Sequence, residues 1–333
     1  MGELQAELPP LEERPLVTLA LVSYNQERYI SHAVESALNQ DYMPLEIIIS
    51  DDCSTDDTYS IAQDLVSKYT GPHVVQVNRM ERNVGLARHL NHVFKMARGE
   101  IVVLAAGDDI CFAKKVSSLS RPMLNNDQIM GVHSDAIVID NDGKELYQGG
   151  LDAPDNLSDL KKIVSFSLGV VSQSHAFRKC VHDYFGPYDS DVTNEGKVMA
   201  FREAILGRIA YIKEPLTYYR TGSGVSTYSG TDIDQLTLGE PRKVASWNFT
   251  AIKQIEKDCR RLEKIDASLL NLIHSRKSYL KKILDINTKS FAVLPLLQLA
   301  GNPSQFLFGL KAFLRRNAPR PLRALYCKRL LVK

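Results

Sequence analysis

Apolar and polar positions alternate in blocks along the first third of the chain, and the blocks predict an α/β domain. Short apolar runs at 16–23, 45–50, 73–78 and 101–106 predict four buried strands. The segments between them carry apolar residues at helical spacing, so the predicted order is β-α-β-α-β-α-β. Continuously apolar strands joined by helices indicate a parallel sheet that is covered on both faces.

The middle of the chain predicts a change in the sheet. Residues 131–140, the NDG turn after them and the following KELYQ predict a hairpin. A further strand is predicted at 170–177, a helix at 195–207, and two short strands in RIAYIKEPLTYYR. The sheet is therefore expected to be mixed but mostly parallel.

The chain predicts three parts. An N-terminal extension is expected at 1–15, an α/β domain at 16–228, and a helical region at 229–333. Residues 243–285 are rich in Lys, Glu, Leu and Ile, which favours helices. The Gly- and Ser-rich stretch TGSGVST near the second boundary predicts a loop or lid.

Charge is distributed unevenly along an otherwise ordinary globular composition. Of the 333 residues, 44% are hydrophobic and 24% are charged. Residues 286–333 contain nine Lys and Arg and no Asp or Glu, so the net charge of +2 leaves −7 for residues 1–285. A basic tail on an acidic body indicates an anionic partner for the tail.

The tail predicts a membrane-surface helix. Within 305–333, Phe306, Leu307 and Phe313 lie beside basic residues such as Lys311 and Arg315. This pattern favours an interfacial helix on anionic lipid. The alternative is a helix packed on its own domain or on a partner. No nucleic-acid partner is expected, because the basic residues alternate with Leu and Phe and not with stacking aromatics.

Cysteine usage and hydropathy favour a cytoplasmic protein peripheral to the inner face of the cell membrane. The five cysteines are far apart, odd in number and without a CxxC pair, so reduced thiols are expected. No apolar run reaches the roughly 18 residues typical of a spanning helix. The N-terminal segment lacks the basic-then-apolar pattern of a signal peptide.

Two acidic pairs follow predicted strands. Asp51-Asp52 and Asp108-Asp109 each stand where a buried strand ends, which is where parallel sheets bind ligands. The first pair predicts hydrogen bonds to a nucleoside, with helix capping as the alternative. The second predicts a divalent cation, Mg²⁺ or Mn²⁺, with an ordinary turn as the alternative. Asn25 and Ser54 are expected to cap the helices that follow them.

The motifs together resemble glycosyltransferase family 2. The runs VSYNQERYI, ISDDCSTDDT, NVGLARHLN and GEIVVLAAGDD occur in the order that is typical of the family. The resemblance continues through FGPYDSD and NEGKVMAFREAILGRIAYIKEPLTYYRTGSGVS and covers about residues 16–228. It implies the GT-A fold and an inverting transfer of a sugar from a nucleotide diphosphate donor, with UDP- or dTDP-sugars favoured.

The resemblance also implies roles for single residues. The donor pocket is expected to include Val22, Ser23, Tyr24, Glu27, Asp51, Asp52, Asn83, Gly85 and Arg88. Asp108 is expected to contact the donor and, with Asp109, the metal, although Ala106 replaces the first aspartate of a DxD motif. Arg202, Arg220 and Ser223 are expected near the phosphates, with surface ion pairs as the alternative for the two arginines.

The resemblance departs from the family pattern at the catalytic base. The family usually places an Asp second in a Glu-Asp pair at a helix start, but here the pair is Glu195-Gly196. Glu195 is the expected base, with Asp189 or Asp191 as substitutes, and helix capping is the alternative role for Glu195. His175 is interpreted as a buried structural histidine in preference to a catalytic one.

The expected acceptor is a lipid-linked glycan, as in the synthesis of bacterial surface polysaccharides. A nucleotide-sugar-binding protein without catalysis is the alternative that Gly196 favours. A sugar nucleotidyltransferase is less favoured, since SYNQE stands where a Gly-rich loop with Arg and Lys is expected. The helices at 243–285 allow a homo-oligomer.

Overall fold

The computed structural model describes residues 7–149, 157–167, 174–222 and 240–288. The chain divides into two units, residues 1–227 and 228–333. After a short 3-10 helix at Leu11–Glu13, the first unit contains nine described strands: β1 Val17–Ser23, β2 Leu45–Asp51, β3 Val74–Arg79, β4 Ile101–Ala106, β5 Ile110–Cys111, β6 Ile129–Ile139, β7 Glu145–Gly149, β8 His175–Arg178 and β9 Arg208–Arg220. Its described helices are α1 Ile30–Leu38, α2 Thr58–Ser67, α3 Leu86–Met96, α4 Lys115–Asn125, α5 Leu160–Ser165, α6 Lys179–Phe185 and α7 Glu195–Leu206.

The strands form one mixed sheet in the order β3-β2-β1-β4-β8-β6-β9-β5, with β7 paired to β6. The first four strands are parallel, and β8 then joins β4 and β6 in antiparallel pairs. Every residue of β2 is buried, and six of the seven in β1, which explains their continuous apolar character. The predicted α/β class with a mixed, mostly parallel sheet is confirmed.

The hairpin predicted after residue 131 is formed by β6 and β7. The segment RIAYIKEPLTYYR forms one continuous strand, β9, so the prediction of two strands was wrong. Shifts in the β6–β9 register next to Asp135 and Pro215 absorb the proline, which lacks the N–H of a regular ladder.

The two predicted helix caps were also wrong. α1 begins at Ile30, and Asn25 lies in the left-handed region with φ 52°. The Asn25 side-chain oxygen accepts a hydrogen bond from the Thr55 N–H at 2.9 Å. Ser54 donates its hydroxyl to Asp51 and does not cap α2. The Asn25 N–H donates to Ser54 Oγ at 2.8 Å, so both side chains join the loops after β1 and β2 and do not cap helices.

The second unit contains two described helices, α8 Glu240–Cys259 and α9 Ala267–Thr288. They pack on one another, and Lys277 Nζ contacts Glu256 Oε2 at 2.5 Å. The predicted helical C-terminal region is confirmed in this part. No helix within the described residues is both long and apolar enough to cross a membrane. The basic tail at 305–333 and the TGSGVST stretch from Ser223 lie outside the described residues.

Candidate functional site

The carboxyl ends of β1, β2 and β4 bring both acidic pairs to one edge of the sheet. Ser23 pairs with Asp51, and Val22 pairs with Ala106, two residues before Asp108. The Asp52 N–H donates to the Ser23 carbonyl, which continues this alignment beyond the strands. The parallel register therefore places Val22, Ser23 and the two acidic pairs together, as expected from the strand order.

Asp51 and Asp52 are both almost fully buried, at 2% and 3% exposure. Asp51 Oδ2 accepts the Ser54 N–H at 2.8 Å, and Arg79 Nε lies 3.7 Å from the same oxygen. Asp52 accepts the N–H groups of Val84 and Gly85 at 3.0 and 2.9 Å. These bonds offset the cost of burying two carboxylates and fix the loops on either side.

The bonds from Asp52 shape the start of α3. Gly85 has φ 80°, a conformation that glycine adopts without strain, and α3 begins at the next residue. Asn83 and Arg88 are exposed on either side of this turn. The predicted donor residues of this segment therefore stand at a helix start that a buried carboxylate holds in place.

The loop after β1 is tied to the loop after β2. Glu27 Oε2 accepts the Asp57 N–H at 3.1 Å, and the Glu27 N–H donates to Asp56 at 3.2 Å. Tyr24 is 42% exposed beside them. Tyr24 thus presents an aromatic surface at this edge, while Glu27 contributes to the loop structure.

The turn after β4 carries the second acidic pair. A Cβ at Gly107 would lie 2.5 Å from Gln26 Oε1 and 2.7 Å from Ser23 Cβ, so glycine permits this close approach. Asp108 and Asp109 are 6% and 2% exposed. Burial, together with the neighbouring Asp108 charge, raises the pKa of Asp109 well above its usual range.

One observation directly supports Asp109 as a ligand of a cation. Its Oδ1 accepts the Arg220 N–H at 2.8 Å, whereas its Oδ2 is buried without a hydrogen-bond partner among the described residues. A buried carboxylate oxygen without a partner is costly, and a bound cation would satisfy it. Asp108 and Asp109 therefore suit a divalent ion despite Ala106.

Arg220 fastens this turn to the end of β6. Its Nε donates to the Asp108 carbonyl at 2.9 Å, and its Nη1 donates to the Asp140 carbonyl at 2.7 Å. The guanidinium also lies 4.3 Å from the centre of the Tyr29 ring. Arg220 is thus brought to the predicted site, with two of its side-chain donors engaged by backbone carbonyls.

The start of α7 carries the residues predicted to supply the base. Glu195 lies in the first turn and is partly exposed; in the segment before the helix, Asp189 is half-buried and Asp191 is exposed. The Asn91 side chain of α3 holds this segment through both backbone groups of Tyr188, at 2.9 and 2.8 Å. The segment before α7 is therefore tied to the helix that Asp52 positions.

Arg202 lies away from solvent, at 0% exposure. Its Nη1 donates to the Gly186 carbonyl at 2.9 Å, and its guanidinium lies 4.8 Å from the Tyr188 ring. Through these contacts Arg202 supports the segment before α7, and its place near the phosphates stays a prediction. The surface ion pair considered for Arg202 does not fit its burial.

A polar network beneath Asp51 was not predicted from the sequence. Ser50 Oγ accepts from Asn78 Nδ2 and lies 2.8 Å from His89 Nε2. The tautomer of His89 decides which of these two atoms donates, because the serine oxygen can both donate and accept. Burial lowers the pKa of His89 even though Asp52 and Asp51 lie close by, which favours the neutral imidazole. Alternating inward positions in β2 and β3 are the only sequence feature that relates Ser50 to Asn78.

A second buried polar cluster lies between the sheet and α7. His133, His175 and Glu203 offer ligand-type atoms that all lie within 4.8 Å of one another. His175 Nε2 lies 2.5 Å from Glu203 Oε1, and His175 is fully buried, as its structural interpretation predicts. Burial raises the pKa of Glu203 to about 7 and lowers the pKa of His175 to about 3.

Comparison with known proteins accounts for the fold and the motifs. Residues 18–165 match the model of Glycosyl transferase family 2. An uncharacterized glycosyltransferase of Nostoc sp. is 26% identical over 61% of this chain and 64% of its own length. Chondroitin synthase of Escherichia coli is 36% identical over 31% of this chain and 14% of its own length. The chain thus spans less than two thirds of either relative.

Two solved structures share the fold. TarS of S. aureus, residues 1–349, in complex with UDP-GlcNAc has a TM-score of 0.54 at 17% identity, over 90% of this chain and 80% of that TarS segment. The mannosyltransferase PcManGT of Pyrobaculum calidifontis, in complex with GDP-Man and Mn²⁺, has a TM-score of 0.54 at 19% identity. The match covers 95% of this chain and 85% of the PcManGT chain. The segment 18–165 thus matches glycosyl transferase family 2, and the two solved structures share the fold of the chain.

Proposed function

We propose that the protein is an inverting glycosyltransferase that takes a sugar from a nucleoside diphosphate donor and passes it to a glycan acceptor. The observation that carries the proposal is the meeting of two buried acidic pairs, Asp51-Asp52 and Asp108-Asp109, at one sheet edge. One pair suits a nucleoside and the other a cation on the diphosphate. The family match supports the same reaction class.

The donor would lie across the carboxyl ends of β1, β2 and β4. Asp51, Asp52 and the turn at Asn83–Gly85 would contact the base and ribose, beside Val22, Ser23 and Tyr24. UDP- or dTDP-sugars are our first candidates, and TarS, which shares the fold, was solved with UDP-GlcNAc. Because PcManGT was solved with GDP-Man, the choice of base needs a direct test.

Asp108 and Asp109 would hold Mg²⁺ or Mn²⁺. Such an ion, when bound, neutralises charge on the departing diphosphate. The buried Asp109 Oδ2 without a partner supports this assignment, and Mn²⁺ in PcManGT is consistent with it. Arg220 holds the turn that presents both carboxylates.

Glu195 would act as the general base. It would take the proton of the acceptor hydroxyl as that oxygen bonds to the anomeric carbon from the face opposite the diphosphate. The bond between the anomeric carbon and the diphosphate breaks, and the nucleoside diphosphate leaves with the electron pair. Partial exposure in the first turn of α7 makes Glu195 accessible for this role, with Asp189 and Asp191 as the nearest substitutes.

The acceptor would be a lipid-linked glycan of a bacterial surface polysaccharide. The similarity to chondroitin synthase supports a polysaccharide product, and the basic amphipathic tail at 305–333 supports a peripheral place on an anionic membrane. Full activity on a soluble acceptor after deletion of 305–333, with no loss of binding to anionic vesicles, would remove the basis for the membrane part.

The second candidate function is donor binding without transfer. Gly196 favours it, because the family's usual aspartate is missing at that position. Binding of a donor with no release of nucleoside diphosphate, and release after Gly196→Asp, would support this alternative.

The test is release of nucleoside diphosphate from UDP-, dTDP- and GDP-sugars with Mg²⁺ or Mn²⁺. Wild type is compared with Asp109→Ala and Glu195→Ala. Asp64→Ala is the control, because Asp64 is an exposed carboxylate in a surface ion pair with Lys68. Metal-dependent release that is lost in the first two variants and kept in the control supports the transferase. Release that survives both substitutions would contradict it.

A further inference from the structure

The buried His133, His175 and Glu203 come from three different elements. His133 of β6 and His175 of β8 are partners in the antiparallel register, and Glu203 reaches them from α7. The side chains of His133 and Glu203 are 1% and 0% exposed. Three titratable groups gathered in the interior are costly to bury unless they satisfy one another.

The geometry favours a hydrogen-bonded cluster over a cation site. The two imidazole rings are stacked at 4.1 Å between centroids with 3° between their planes. An imidazole binds a metal through a lone pair in its ring plane, and one ion cannot lie in two parallel, separated planes. Lys115 of α4, fully buried, acts on His175 by its positive charge, which further disfavours a divalent cation here.

Gly131 of β6 forms a recess that holds the Glu203 carboxyl group. A Cβ added at Gly131 would lie 2.3 Å from Glu203 Cδ, so only glycine leaves room for it. Glu203 Oε1 contacts His175 Nε2 at 2.5 Å, and Glu203 Oε2 lies 3.8 Å from His133 Nε2. The recess and the histidine contact together fix where the C-terminal half of α7 meets the sheet.

We propose that the Glu203–His175 pair is a positioning device that sets the placement of α7 on the sheet and, through the helix, the placement of Glu195. Glu195 stands eight residues before Glu203, which is about 12 Å along a helix. The adjacent Arg202 holds the Gly186 carbonyl in the segment that leads into α7. This proposal rests on the proposed role of Glu195 as the base.

The test compares Glu203→Ala, Glu203→Gln and Gly131→Ala with wild type. Glu203→Ala removes the contact, and Gly131→Ala displaces the carboxyl group from the sheet side while leaving the sequence of α7 unchanged. Both should lower kcat by roughly 10- to 100-fold and leave the donor KM within about twofold, because a misplaced base affects the transfer more than donor binding. Glu203→Gln keeps a hydrogen-bonding partner for His175 and should retain most of the wild-type kcat.

Hydrogen exchange of the peptide 195–206 provides a readout that does not need turnover. It should be faster in Glu203→Ala and Gly131→Ala and near wild type in Glu203→Gln. Unchanged kcat and exchange in Glu203→Ala would overturn the proposal, as would a raised donor KM at constant kcat. Stoichiometric zinc in the purified wild type that is lost in His175→Ala would overturn it too. If wild type releases no nucleoside diphosphate, the proposed function fails, and exchange alone decides whether the pair anchors α7.

Discussion

Two buried carboxylates in the same unit, Asp109 and Glu203, show that burial alone does not mark a binding site. Burial raises the pKa of both side chains. Each has one buried oxygen without a hydrogen-bond partner among the described residues, Asp109 Oδ2 and Glu203 Oε2. Asp109 follows the carboxyl end of β4, at the edge where parallel sheets bind ligands. Glu203 is instead enclosed by protein groups: its Oε1 contacts His175, its Oε2 lies 3.8 Å from His133 Nε2, and Gly131 leaves room for its carboxyl group.

The difference follows from where each group stands in the fold. The carboxyl edge of a parallel sheet is open to ligands, because the helices and loops diverge there. The interface between the sheet and α7 is closed packing, in which a carboxylate contributes to structure. We therefore expect changes at the edge to affect chemistry, and changes at the interface to affect placement and stability.

The largest effect should come from the partly exposed carboxylate at the start of α7. Glu195→Gln keeps the size of the side chain and removes its ability to take a proton. We expect kcat for transfer to fall by about 10²–10⁴-fold with little change in the donor KM. Steady-state kinetics measures both, and Asp191→Asn is the matched control. A larger loss in the control would move the base to Asp191.

Asp109→Asn should have the next largest effect. The amide keeps the volume of the side chain but binds a divalent cation poorly, so we expect about 10²-fold slower release of nucleoside diphosphate. The Mn²⁺ concentration for half-maximal activity should rise as well. Activity that keeps its wild-type dependence on Mn²⁺ would show that Asp109 is a structural carboxylate like Glu203.

Glu203→Gln should change the dependence of stability on pH. The pKa of Glu203 is raised to about 7 from its ordinary value of 4.5, so the folded wild type binds more protons than the unfolded chain between these values. The stability of wild type should therefore fall as pH rises through this window, whereas Glu203→Gln lacks this pH dependence. Between pH 4.5 and 8, we expect the free energy of unfolding of Glu203→Gln to rise relative to that of wild type by about 3 kcal/mol.

Urea titrations followed by circular dichroism at several pH values measure this shift. His175 contributes in the opposite direction at lower pH, because its pKa is lowered to about 3, and the Gln variant retains that histidine. Parallel stability curves for wild type and Glu203→Gln across this range would contradict the raised pKa.

The smallest effect should come from an ion pair on the surface. Arg28 and Asp142 are 61% and 81% exposed and lie 2.7 Å apart. Solvent screens such pairs, so Arg28→Ala should change the free energy of unfolding by no more than about 0.5 kcal/mol. A loss of donor affinity in this variant, seen by calorimetry, would instead show that the pair orders the site through the neighbouring Tyr29.

The edge of the sheet could be predicted from the sequence because its signals are local. Each acidic pair directly follows an apolar run, and the parallel order brings the strand ends together. The interface with α7 could not be predicted in this way. His133, His175 and Glu203 are far apart in the chain, and only the register of β6 with β8 makes the two histidines neighbours.

Side-chain roles were less predictable than strand positions. Arg202 matched a family position near phosphates, yet its helix turns it into the interior against Tyr188. Asn25 and Ser54 are residue types that often cap helices, but here their side chains accept hydrogen bonds across two loops that meet only in the folded sheet. Such contacts depend on tertiary neighbours, which spacing along one chain does not specify.

The most direct test of the central claim is the anomeric configuration of the sugar first released from the donor. Proton NMR can follow UDP-sugar turnover by wild type with Mn²⁺, using water as a slow acceptor before mutarotation. An α-linked donor should yield the β-anomer first, together with UDP. First release of the α-anomer would contradict inversion, and a bound donor that never releases UDP, even with a glycan acceptor present, would contradict the transferase itself.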